Sequence, residues 1–124
     1  MNTALWIAQG LLALGFAVSG TMKLARRREE LKEKGQAWVE DFSDSDVKLI
    51  GIAELLGATG LVLPPLVDIA PWLAPIAATG LATVMLLAAR THLRRKEPEG
   101  VVVTLVLGAI AVFIMWGRFG PHQF

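Results

Sequence analysis

Four apolar runs, at about Ala4–Leu24, Val47–Val67, Pro71–Ala89 and Val101–Gly117, take up most of this 124-residue chain. Each holds about 17–21 residues, which at 1.5 Å rise per residue matches a hydrocarbon core roughly 30 Å thick. Inside a bilayer every backbone N–H and C=O must be satisfied within the segment, so runs of this length fold as helices. The expected fold is therefore all-α: one polytopic membrane domain, an antiparallel four-helix transmembrane bundle, with little chain left for a soluble domain. The first run lacks a basic leader and exceeds a signal-peptide core, so it reads as a span.

Charge sets the expected orientation. Lys23, Arg26, Arg27, Arg28, Lys32, Lys34 and Lys48 surround the first connection, and Arg90, Arg94, Arg95 and Lys96 surround the third. The second connection carries Asp68 and no basic residue, and Arg118 alone lies on its side of the bundle. The positive-inside rule places both basic connections in the cytoplasm and both termini outside, in the inner (plasma) membrane. Trp6, Trp72 and Trp116 then form a belt at the outer interface. Arg26–Lys34 is expected to extend the first helix until Gly35 stops it. Trp38, Val39 and Phe42 should lie on the membrane surface. Ser43 to Asp46 supply caps for the second span.

Glu54 is the residue on which chemistry centres. A charge inside a span costs roughly 2.5–3.5 kcal/mol on insertion scales, so it faces a partner or a cavity. Side chains lean toward their own helix N-terminus. Glu54 thus leans toward the cytoplasm while Lys23 leans into the membrane, and the two directions converge. Gln9, Ala13, Phe16, Gly20 and Lys23 share one face of the first helix. Gly51, Glu54, Ala58 and Leu61 share one face of the second. On the third, His92 lies with Ala74, Ala78, Leu81 and Met85, whereas Arg90 lies with Thr79 and Thr83; periodicity does not choose between them. On the fourth, Thr104, Gly108, Ala111, Met115 and Arg118 form a seam, and Arg118 is expected at an outer-leaflet phosphate or a helix C-terminus. Ala13, Ala17 and Gly20, with Ala53, Gly57 and Gly60 and with Ala74, Ala78 and Ala82, supply close-packing surfaces. The candidate ligand-binding residues are Glu54, Lys23, His92, Gln9 and Arg118.

Several functions are set aside by the residues themselves. Without cysteine the chain carries no thiol–disulfide or thiolate-metal chemistry. His92 and His122 fall on opposite sides of the expected topology, which leaves no metal-ligand cluster. No phosphate loop, nucleophile elbow or dinucleotide motif occurs. The basic clusters are juxtamembrane and fit anionic lipid, so no nucleic-acid partner is expected.

The segments Gly20-Thr21-Met22-Lys23-Leu24 and Gly51-Ile52-Ala53-Glu54-Leu55-Leu56-Gly57-Ala58-Thr59-Gly60-Leu61 with Pro64 resemble the DoxX-like family of small four-span membrane proteins. Pro71-Trp72-Leu73, Ala88 to Arg95 and Gly117-Arg118-Phe119 extend that resemblance over nearly the whole chain. It implies a four-helix bundle with His92, rather than Arg90, turned inward. It also implies association with membrane redox systems such as a thiosulfate:quinone oxidoreductase, with oxidative-stress proteins or with membrane-protein assembly, and it supplies no catalytic residues. Three expectations follow. The first is a binding or accessory protein that holds a membrane lipid or quinone, or a membrane or peripheral redox partner, through Lys23, Glu54 and His92. The second is a proton-coupled transporter acting as a parallel homo-oligomer. The third is a structural or assembly protein in which Lys23 and Glu54 lock two helices.

Overall fold

The structure, a computed structural model, describes residues 1–123. In chain order it contains α1 (Asn2–Ala25), α2 (Arg28–Glu33), a 3₁₀ helix (Ala37–Asp41), α3 (Asp44–Leu66), α4 (Leu73–Arg94) and α5 (Pro98–Phe119). No strand occurs among the described residues. The four long helices are each long and apolar enough to cross a membrane. α1 and α5 overrun their apolar runs at both ends, α3 at its start and α4 at its end, because polar first and last turns still satisfy helical hydrogen bonds.

The helices form a ring in which α1 packs on α3, α3 on α4 and α4 on α5. α5 returns to α1 through the thinnest of the four interfaces. Neighbours run antiparallel: Gly20 meets Gly51, Gly57 meets Leu81, Gly100 meets His92 and Gly117 meets Leu5. At Gly20 an added Cβ would sit 2.7 Å from the Gly51 carbonyl oxygen, so α1 and α3 approach backbone to backbone. Lipid supplies no hydrophobic drive between helices, and such close van der Waals contact takes its place. Leu12, Phe16, Ala58, Leu61, Ala78, Leu81, Met85, Ala111 and Ile114 fill the centre.

The connection between α1 and α3 departs from expectation. α1 stops at Ala25, Arg26 and Arg27 are extended, and α2 is a separate helix. The Arg26–Glu30 pair still forms, at 3.7 Å. The break has a cause in Lys48, whose ammonium donates to the carbonyls of Lys23, Leu24 and Arg26 at 3.1, 2.9 and 2.8 Å. Those oxygens would otherwise need the next helical turn, and a cation also suits the negative end of the helix dipole. Gly35 ends α2 with φ +91°, a left-handed turn that glycine makes without strain. The segment with Trp38, Val39 and Phe42 packs its apolar side chains against α2 and the start of α3. Leu31, Val39 and Val47 form a second apolar cluster, with Trp38 and Phe42 packed against it. Ser43 caps α3 as expected, accepting from the Asp46 N–H at 3.1 Å.

Candidate functional site

Glu54 lies on the buried stripe Gly51, Glu54, Gly57, Ala58 and Leu61 of α3 and is only 2% exposed. Lys23, one turn beyond the Gly20–Gly51 contact, donates to Glu54 Oε1 at 2.7 Å. Ser19, four residues earlier on α1, accepts from Lys23 Nζ at 2.6 Å. The Ser19 hydroxyl lies 3.1 and 3.3 Å from the two carboxylate oxygens of Glu54. Trp38 covers the ammonium, its ring centroid 5.4 Å from Nζ. Carboxylate, ammonium, hydroxyl and aromatic face thus satisfy one another in surroundings where an unpaired charge would be costly.

This group forms part of the wall of a cavity of about 830 Å³, partly open and mostly apolar. Phe16, Met85 and Leu107 line its body, and Trp38 and Phe42 line it on the side of the α1–α3 connection. Such a volume suits a small organic ligand. His92 lines the same cavity, while Arg90 is on the exposed side of α4 with Thr79 and Thr83. His92 therefore faces inward, as the resemblance implied. Its ring is held in place: Nδ1 hydrogen-bonds Glu97 Oε1 at 2.9 Å, and the ring packs on Gly100, which also lines the cavity.

Glu97 continues into a clasp that sequence reasoning missed. Arg95 donates to Glu97 at 3.3 Å, to Asp41 at 2.7 Å and to Glu40 at 3.2 Å, tying the 3₁₀ helix to the end of α4. The His92 hydrogen bond foremost, aided by Arg95 and opposed by partial burial, holds the Glu97 carboxyl below its ordinary value. The acidic partners, Asp41 first, raise Arg95 further above its ordinary value. Ser19 carried a signal in its i,i+4 spacing to Lys23, on the same helical face. Arg95 carried none beyond its charge.

Gln9 and Arg118 come together at the other end of the bundle. Arg118 Nε donates to Gln9 Oε1 at 2.8 Å, and Nη1 donates to Asn2 Oδ1 at 2.7 Å and to the His122 carbonyl at 3.0 Å. Arg118 is 3% exposed and lies over the Trp6 ring, so it is turned into the protein and not toward lipid phosphate. Gln9 Nε2 donates in turn to the Leu61 carbonyl at 2.6 Å. Pro65 explains that bond, because proline has no N–H to offer the carbonyl four residues earlier. Among the described residues no group of His, Asp, Glu or Cys is arranged to hold a metal ion.

Four apolar helices around an interior carboxylate–ammonium pair and an apolar cavity define a small multi-pass membrane protein. The chain belongs to the DoxX-like family, whose model matches residues 7–114. No curated protein and no solved structure matches it.

Proposed function

We propose that this protein binds a membrane-soluble amphiphile, lipid-like or quinone-like, and serves as an accessory subunit to a membrane redox partner. The ligand's polar head meets Ser19, Lys23 and Glu54, and its apolar body fills the space beside Phe16, Met85 and Leu107. The observation that carries this reading is a mostly apolar cavity into whose wall Ser19, Lys23 and Glu54 bring a charged, hydrogen-bonding group, with His92 lining the same space. Redox chemistry belongs to the ligand or to the partner. The basic end of the bundle faces the cytoplasm and both termini lie outside, on the strength of the lysine and arginine distribution.

Native mass spectrometry in mild detergent, followed by lipid extraction, tests the reading. The wild type should retain a stoichiometric quinone or lipid. Ser19→Ala, which leaves the ion pair in place, should weaken retention, and the paired variant Lys23→Met/Glu54→Gln should abolish it. A folded protein that is clean of ligand in every mild detergent would refute the proposal.

A further inference from the structure

We infer that the cavity is filled sideways from the bilayer, through the seam between α1 and α5, and that Gly15 forms the sill of that portal. The inference rests on the ligand-binding reading above and adds a ligand class: a single-chain amphiphile already dissolved in the membrane.

On the side of the connections the rim carries Asp46 and Glu99, both exposed, which an apolar chain would have to pass. Trp38 and Phe42 line the cavity beneath the α1–α3 connection, and three contacts anchor that segment: Arg95 to Glu40, Arg95 to Asp41, and Arg28 to the Phe42 carbonyl at 2.8 Å. The rim at the α1–α5 seam is apolar. Gly15 and Val103 both line the cavity and are both exposed, so one passage reaches from the interior to the lipid-facing surface. A Cβ at Gly15 would meet nothing within 4 Å, whereas at Gly20 on the same helix it would strike backbone. Toward the termini the seam continues as a shallow apolar groove of about 480 Å³ between Ala8 and Leu11 on α1 and Val106 and Ile110 on α5.

Leu11 and Val106 line the groove, and the next residues along each helix, Leu12 and Leu107, line the cavity, so the two spaces lie on adjacent faces of the same two helices. That adjacency suggests the occupant of the groove. It is the apolar chain of the molecule whose head lies at Lys23 and Glu54, not a separate partner.

The test uses the full chain in phosphatidylcholine vesicles that contain a decyl-substituted benzoquinone with a diazirine on its alkyl chain. Photolabelling is followed over time and mapped by mass spectrometry. Wild type should be labelled along α1 and α5. Gly15→Trp should slow labelling at least tenfold while the final extent is unchanged, because a plugged passage retards entry without removing the site. Gly80→Trp provides the control, since Gly80 is exposed and equally open, and it should be labelled at the wild-type rate. A Gly15→Trp rate equal to wild type would overturn the portal and leave ligand binding standing. A reduced final extent at unchanged rate would assign Gly15 to the site wall and also overturn it. Acceleration by Arg95→Gln would place entry on the water side. Loss of a dimer in Gly15→Trp, seen by native mass spectrometry, would give the seam to a second copy. No specific label on wild type would remove the ligand-binding reading itself.

Discussion

Lys23 and Glu54 hold each other at 2.7 Å, and the hydroxyl of Ser19 joins both. Removing one charge leaves the other buried and uncompensated, which in protein interiors costs about 3–5 kcal/mol. Glu54→Gln should therefore lower thermal stability sharply in detergent, and adding Lys23→Met should recover at least half of the loss. If the double variant melts no higher than the single one, the pair is not the source of the penalty. Ser19→Ala should cost only about 1 kcal/mol, because the ion pair survives it. The pairing was legible in the sequence because both residues lie on apolar faces and their side chains lean toward each other. The Gln9–Arg118 bond was not. Both residues were singled out, but nothing in a linear pattern says that α5 closes the ring against α1. Arg90 and His92 remained ambiguous because two residues on one helix turn point to opposite sides, and only the packed ring decides which side is interior.

At the scale of the helix, α3 carries two prolines near its end, and Gln9 of α1 takes over the carbonyl that Pro65 leaves without a helical donor. Gln9→Leu should cost about 1–3 kcal/mol by stranding the Leu61 oxygen. Pro65→Ala restores an N–H there, so the loss in the double variant should be smaller than in Gln9→Leu alone. Additive losses in a thermal-melt cycle would show that Gln9 acts elsewhere. The α1–α3 contact makes a separate demand. Gly51→Val would drive its side chain against the Lys23 Cβ, 2.9 Å from the glycine's projected Cβ, and against the Gly20 carbonyl. Overpacking of this kind costs about 1–3 kcal/mol, and it should also pull Lys23 away from Glu54. Gly15→Ala on the open seam should leave stability unchanged within about 0.5 kcal/mol. The spans themselves were readable from hydropathy alone. The break after Ala25 was not, since Arg26–Glu30 spacing suits an unbroken helix equally well and the deciding group, Lys48, comes from another element.

Across the whole molecule, α1 with α3 and α4 with α5 form two closely packed pairs joined along α3 and α4. Their free edges meet at the α1–α5 seam. A clasp bridges the pairs at each end: Arg118 with Gln9 and Asn2 near the termini, and Arg95 with Glu40 and Asp41 near the loops. The second clasp has a pH dependence. A carboxyl held below its ordinary value contributes stability that is complete above the unfolded value and disappears as pH falls through the lowered one. The Glu97 contribution should thus be constant near neutrality and be lost below pH ~4.5, and Glu97→Gln should flatten that acid limb of the melting curve. An unchanged acid limb would show that Glu97 does not couple the loop to α4. Two clasps with an underfilled stretch between them make each edge helix resemble a beam fixed at both ends, which deflects most at mid-span. Lateral pressure from the surrounding acyl chains then bears on the middle of α1 and α5, where the cavity lies, and leaves the ends in place. On the ligand-binding proposal, occupancy of the cavity should therefore differ between tightly and loosely ordered bilayers of identical thickness.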